Sequence, residues 1–234
     1  MRSISARLLA RAKDIEDSVY KAYEGAPTVG GYWGMLDLRG SAAYRVAAGD
    51  RRSFARARVF SQLLGEIIDA YPGAEVFKEL GDGVLLHATD WRTVIELPAV
   101  FDAINRYWHV EVDADPSYPS LEARASFTGG ECVRVDTDYL GAPIDLVARI
   151  NGFDPDVRDC IAVVEAGVRS SLVERASLEY PYIQFLDSMA LPSRYLKQGE
   201  PPRRVSALVI DRAKFGDATN YFVPIRSLLD GVHE

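Results

Sequence analysis

Apolar and polar residues alternate along the chain in two periods, and the periods mark its elements. Over 2–24, Ile4, Leu8, Leu9, Ile15, Val19 and Tyr20 recur near helical spacing with charges between them, and Gly25-Ala26-Pro27 ends the run. Residues 30–38, GGYWGMLDL, read as a strand in which Asp37 interrupts the apolar run. Residues 51–71 predict an amphipathic helix that buries Phe54, Val59, Phe60, Leu63, Leu64, Ile67 and Ile68, and Pro72-Gly73 stops it. At 77–89, FKELGDGVLLHAT, two apolar runs flank Gly81-Asp82-Gly83 and predict a β-hairpin with a carboxylate at its tip. A further helix is expected over 91–108, bent or delayed by Pro98, then a loop over 113–119. Residues 121–133 read as two strands broken at Gly129-Gly130, 139–150 as a helix, 160–165 as a strand and 166–177 as a short helix. A last strand is expected over 205–211, after a basic, proline-bearing turn at 197–204.

The order β, α, β, β, α, β followed by further helices and strands is that of an α+β sandwich, ferredoxin-like, with helices on a mostly antiparallel sheet. It divides the chain into an N-terminal helix (1–28), one catalytic-size domain (29–212) and a weakly patterned tail (213–234). Apolar residues make up 48% of the 234, enough for a packed core. No apolar run reaches the length of a membrane span, and 3–13 carries too many cations for a secretory signal, so a soluble, cytosolic protein with no membrane partner is expected. The two cysteines, Cys132 and Cys160, match no zinc spacing and read as small buried hydrophobes. A net charge of −7 argues against a nucleic-acid partner held by bulk charge. An acidic chain that takes an anionic substrate needs metal ions or a local cationic cluster.

Asp37 and Asp82 bring that requirement into focus. A strand end and the tip of the next hairpin can be neighbours across a sheet edge. Two carboxylates with a backbone carbonyl such as that of Leu38 offer hard oxygen ligands for two divalent cations, an arrangement suited to phosphoryl transfer. Gly40-Ser41 would add backbone N–H groups for phosphate ahead of the next helix. Each residue also has a plainer reading. Asp82 is ordinary turn chemistry, Asp37 a strand-end residue and Ser41 a helix start. Arg149 complements a helix C-terminus, while Lys78 and Asp145 are solvated charges. His87 and His109 lack partners at ligand spacing and read as structural or exposed, and Glu111, Asp113 and Asp115 read as a solvated acidic run.

Three blocks in order resemble the class III nucleotide cyclases, the adenylate and guanylate cyclase catalytic domain, over 31–211. They are LDLRGS at 36–41, FKELGDGVLL at 77–86 and DYLGAPIDLVARI at 138–150. The resemblance implies that Asp37, Leu38 and Asp82 hold two Mn²⁺ or Mg²⁺ ions and that Lys78 and Asp138 read the base. It further implies that Arg149 stabilises charge at the α-phosphate, with Ser41 and Lys197 on the phosphates. It implies a homodimer with sites at the interface, and a nucleoside triphosphate converted to a 3′,5′-cyclic monophosphate and pyrophosphate. The chain departs from the pattern at Asp145, where the family has the asparagine that orients the ribose; an ionised Asp can accept but not donate a hydrogen bond. One donor and one acceptor at Lys78 and Asp138 suit adenine and uracil equally. Tyr44, Phe77 and Tyr139 are candidates for narrowing the pocket to a pyrimidine. The layout of one leading helix and one catalytic region resembles the bacterial pyrimidine cyclases of anti-phage defence. That resemblance implies UTP as substrate and cyclic UMP as a messenger read by a separate effector. A soluble adenylate cyclase and a degenerate nucleotide-binding module are the alternatives.

Overall fold

An eleven-residue strand, β1 (Thr28–Leu38), lies inside the sheet formed by the described residues and is paired along both edges. The computed structural model describes residues 2–111 and 121–215. Around β1 the chain runs through α1 (Arg2–Glu24), α2 (Ser41–Ala48), α3 (Asp50–Asp69), β2 (Ala74–Glu79), β3 (Gly83–Ala88) and α4 (Arg92–Glu111). It continues with β4 (Ala123–Val135), β5 (Asp138–Leu140), α5 (Ala142–Asn151), β6 (Cys160–Glu165) and α6 (Ala166–Glu179). It closes with β7 (Ile183–Phe185), β8 (Met189–Ala190), a 3-10 turn (Ser193–Tyr195), β9 (Arg204–Ile210) and α7 (Arg212–Phe215). The strand order is β2-β3-β1-β4-β6-β9-β7, with β5 on β4 and β8 on β9. Every pairing is antiparallel except β4 with β6, so the expected α+β sandwich on a mostly antiparallel sheet is what forms.

Side chains alternate across β1, and the two faces differ in kind. Leu36 and Leu38 enter the main core with Phe60, Leu64 and Ile67 of α3, Val94 and Ile95 of α4, and Leu172 of α6. Trp33 and Asp37 fall on the other face, the one that α5 partly covers: Ser126 and Thr128 of β4 donate from it to the carbonyls of Val147 and Pro143. Trp33 there meets Phe77, His87 and Tyr139 in a second, aromatic cluster.

Several expectations change. The 121–133 stretch is not a broken pair but part of one continuous strand. Gly129 and Gly130 stay in the ladder opposite Tyr32 and Gly31, and they are glycines because other groups approach there. A Cβ on Gly130 would sit 3.0 Å from the Pro143 ring, and the Gly130 carbonyl accepts the Trp33 indole N–H at 2.9 Å. The helix read over 139–150 begins only at Ala142, because Asp138–Leu140 folds back as β5 and puts Tyr139 into the aromatic cluster. A Cβ on Gly141 would lie 2.8 Å from the Cys132 sulfur, so the glycine permits that fold-back. The helix over 51–71 starts at Asp50 and buries Phe60 and Leu64, but leaves Phe54 70% and Val59 46% exposed. A separate helix, α2, precedes it and was not legible; Gly49, at φ 82°, splits the two. The helix α4 continues through Pro98. His87 is buried, Cys132 is buried and Cys160 is only partly so. The N-terminal helix forms as expected, with Leu8, Leu9, Ile15 and Val19 exposed. The loop at 113–119 with Asp113 and Asp115, the side chains of His109 and Glu111, and the tail beyond 215 lie outside the described residues.

Gly34 sets a packing test. A Cβ there would lie 2.6 Å from Phe127 Cε1 and 2.9 Å from Leu86 Cδ1, and both of those side chains are fully buried. Gly34→Ala should therefore destabilise the fold by about 1–3 kcal/mol, the usual cost of overpacking a core. Urea unfolding measures this as a lower midpoint at unchanged slope.

Candidate active site

The register of the sheet assembles an acidic cluster at one end of β1. Asp37 is paired to Gly83 on one side and to Arg124 on the other. The Leu38 N–H donates to the Asp82 carbonyl at 3.0 Å, which ties the hairpin tip to the end of β1. Gly81, at φ 86°, makes the turn, but Gly83 is glycine for another reason. A Cβ on Gly83 would stand 3.0 Å from both Asp37 Oδ1 and the Leu36 carbonyl. Asp37 Oδ2 accepts from Arg124 at 3.1 Å. Burial pushes the Asp37 carboxyl above its ordinary range; the Arg124 hydrogen bond draws it down, and the negative charge of Asp82 pushes it up. The two expected acids are thus close enough to repel. Ser41 Oγ donates to the Leu38 carbonyl at 3.0 Å and accepts from Arg56 at 3.5 Å. Arg56, nearly buried, also holds the Arg39 carbonyl at 3.0 Å and lies over the Tyr44 ring.

Two carboxylates and a carbonyl are hard oxygen donors, and their mutual repulsion is what a divalent cation would relieve. Among the described residues no group of three or more His, Cys, Asp or Glu comes together. Two carboxylates and one carbonyl leave positions open, and Mg²⁺ is an ion that fills such positions with water and phosphate.

A second cluster lies across the sheet. Lys78 Nζ meets Asp138 Oδ2 at 2.6 Å, bridging β2 to β5, and holds the Asp138 carboxyl below its ordinary range. The pair is close to half exposed, and the residues beside it in the chain, Phe77 and Tyr139, pack edge-on at 5.1 Å between centroids. Tyr139 donates its hydroxyl to Glu75, beside the buried His87 ring. Of the three residues expected to narrow a base pocket, Phe77 and Tyr139 flank this pair, whereas Tyr44 belongs with Arg56 near the acids.

The third cluster joins α5 to the segment before β9. Arg149 Nη1 donates to Glu200 Oε2 at 2.6 Å and to the Tyr195 carbonyl at 2.7 Å. Its Nη2 donates to Glu200 Oε1 and Asp145 Oδ2, both at 3.2 Å, and its Nε to the Asp145 carbonyl at 3.3 Å. Lys197 Nζ pairs with Asp145 Oδ2 at 2.7 Å. The Arg149 guanidinium holds the Glu200 carboxyl far down, to about 2. Asp145, Arg149, Lys197, Glu200 and Tyr139 line a cleft of about 530 Å³. The structure thus gathers every expected site residue into one of three clusters. Among the described residues no contact joins Asp37 or Asp82 to Lys78, Arg149 or Lys197.

No protein-family model matches the chain, and no curated protein sequence matches it. Solved structures do. A guanylyl cyclase, Cya2, superposes with a TM-score of 0.59 at 13% identity, over 81% of this chain and 98% of its own. An adenylate/guanylate cyclase/hydrolase from Silicibacter pomeroyi gives 0.59 at 19%, over 80% and 100%. The adenylyl cyclase CyaB from P. aeruginosa gives 0.55 at 18%, over 81% and 100%. The fold is that of the class III nucleotide cyclases. The expected α+β sandwich, a mostly antiparallel sheet with helices and a leading helix, is thus the fold observed.

Sequence reasoning missed Arg124, Arg56 and Glu200. Arg124 was legible in principle, since it falls opposite Asp37 once β1 and β4 are put in register; Glu200 carries no local signal. The low pKa of Glu200 fixes the sign of an acid-pH effect. A carboxyl depressed on folding contributes stability that is present above its ordinary value of 4.5 and is lost as pH falls toward about 2. Thermal midpoints should therefore fall less steeply below pH 4.5 in Glu200→Gln than in the unaltered protein, with no difference in slope above that value.

Proposed function

We propose that this chain is a nucleotide cyclase that converts a nucleoside triphosphate to a 3′,5′-cyclic monophosphate and pyrophosphate. The observation that carries the reading is the in-register placement of Asp37 beside Asp82 and Arg124, on a fold shared with adenylyl and guanylyl cyclases. The ribose 3′-oxygen attacks the α-phosphorus, the new O3′–P bond forms as the bond to pyrophosphate breaks, and the hydroxyl proton passes to solvent. Two divalent cations, Mn²⁺ or Mg²⁺, held by Asp37, Asp82 and the Leu38 carbonyl, would lower the pKa of that hydroxyl and neutralise the phosphates. Ser41 and Arg124 stand beside these acids and serve the phosphates. Lys78 and Asp138 orient the base, Lys197 grips phosphate, and Arg149 stabilises charge as it builds on the α-phosphate. Among the described residues no ion pair joins the acidic cluster to the Arg149 cleft, which supports a complete site formed between two copies, the acids from one and the cations from the other. Asp145, which takes the family asparagine's place, balances Lys197 and lies beside Arg149.

The base we assign is uracil. Lys78 donates to the O4 acceptor of uracil and Asp138 accepts from its N3–H. Phe77 and Tyr139, the chain neighbours of Lys78 and Asp138, pack on each other, and we take their bulk to narrow the pocket for a pyrimidine. A cytoplasmic homodimer making cyclic UMP for a separate effector, in bacterial anti-phage defence, is the corresponding biological role. No helix among the described residues is long and apolar enough to cross a membrane. Adenine satisfies the same donor and acceptor, so ATP is the second reading.

Incubation with ATP, GTP, CTP and UTP separately, with manganese, should give a cyclic product and pyrophosphate from UTP. Asp37→Ala and Asp82→Ala should each lower turnover by about 100-fold or more, in the range seen when a group that stabilises transition-state charge is removed. Unchanged turnover in both variants would sink the assignment. Manganese without nucleotide should raise the thermal midpoint of the unaltered protein by mass action, and should not do so in Asp37→Ala.

A further inference from the structure

Arg149 has no donor to spare. A guanidinium carries five N–H groups. Here Nε serves the Asp145 carbonyl, Nη1 serves Tyr195 and Glu200, and Nη2 serves Asp145 and Glu200. The two N–H groups that Glu200 takes are one from each terminal nitrogen, at 2.6 and 3.2 Å. That parallel pair is the fork by which arginine grips a carboxylate or a phosphate. The Glu200 carboxylate therefore occupies the face of Arg149 that a phosphoryl group would need.

The surrounding contacts hold Glu200 there without making it part of the core. Its carboxylate also accepts the Lys197 backbone N–H at 3.0 Å and lies 3.4 Å from Arg203 Nε. The Glu200 N–H donates back to the Lys197 carbonyl at 3.0 Å, and Gly199, at φ 80°, closes that turn. The segment is anchored at its two ends. Tyr195 donates its hydroxyl to the Gly152 carbonyl at 2.9 Å and packs on Phe153, and the Leu191 N–H bonds the Arg203 carbonyl at 2.9 Å. Between the anchors Lys197, Gln198 and Gly199 are exposed. The turn can shift while Tyr195 keeps its place.

We infer that Glu200 is an internal competitor for phosphate: it neutralises Arg149 in the nucleotide-free protein and must be displaced before the cationic cleft can take a polyphosphate. The inference rests on the assignment of Arg149 and Lys197 to the phosphates. It adds that the affinity of this half of the site is set by a carboxylate on the chain itself. Asp145 plays the lesser part, since it occupies Lys197 and only one N–H of Nη2.

The test is calorimetric titration of the full chain with inorganic tripolyphosphate, without metal, so that no turnover is involved. A ligand whose binding face is occupied most of the time binds more weakly by the fraction that is open. Glu200→Gln, which removes the charge and keeps the shape, should bind tripolyphosphate about fivefold to tenfold more tightly than the unaltered protein. Glu200→Asp, too short to span both terminal nitrogens, should also bind more tightly, by a smaller factor. Adding Arg149→Ala to Glu200→Gln should abolish the gain. Equal or weaker binding in both Glu200 variants, or no binding in any form, overturns the inference. Tighter binding in a protein that cyclises none of the four nucleotides would leave the inference standing and remove the cyclase reading. Cyclisation with no change of affinity in the variants would do the reverse.

Discussion

The hydrogen-bonded ladder along both edges of β1 is the constraint on which the other features depend. A strand with two antiparallel neighbours has no freedom of register, because a slip of one residue would put Trp33 and Asp37 into the core and Leu36 and Leu38 outside it. With the register fixed, alternation sends Leu36 and Leu38 to α3 and α4, and sends Trp33 and Asp37 to the face that α5 partly covers. The same ladder sets Asp37 between Gly83 and Arg124. Packing and chemistry are thus one decision. The leucines that hold the strand down also aim the aspartate.

Glycines let other groups come close to this ladder. Gly83 leaves room for the Asp37 carboxylate, and Gly130 for Pro143. Gly141 lets the chain fold back past Cys132, which carries Asp138 to Lys78 and Tyr139 to the aromatic rings. At each of these positions a side chain would collide with a neighbour, at Gly83 with the Asp37 carboxylate itself.

The electrostatics follow a single pattern. Asp37 holds Arg124, Asp138 holds Lys78, Asp145 holds Lys197 and Glu200 holds Arg149. Partly exposed pairs of this kind add little to stability, because water screens them. They do keep a cluster of cations from facing one another unbalanced while no polyanion is bound. The acidic end differs, since Asp37 and Asp82 repel each other and Asp37 is partly desolvated. One end of the site thus waits for positive charge, and the other must give up negative charge of its own.

The sequence by itself determined the elements and most of the candidate chemistry. Periodicity is a local property, so β1, α3, the 77–89 hairpin, β6 and β9 were legible, whereas Asp37, Asp82, Lys78, Asp138 and Arg149 were candidates named from their blocks. Gly-Gly in a long strand and Tyr139 in a short one were misread, because a glycine that admits a neighbour looks the same as one that makes a turn. Only the tertiary structure decided which charges meet. Arg124 reaches Asp37 across 87 positions and Glu200 reaches Arg149 across 51, and contacts between residues so far apart leave no periodic trace in the chain. Among the described residues the tertiary structure also pairs the acids and the Arg149 cleft with different partners. The last residue of α5, Asn151, donates to the carbonyls of Met35 and Arg124, while Arg149, two positions earlier, turns toward Glu200. That divergence comes from the angle between successive helical side chains, and only packing against the sheet fixes where each one points.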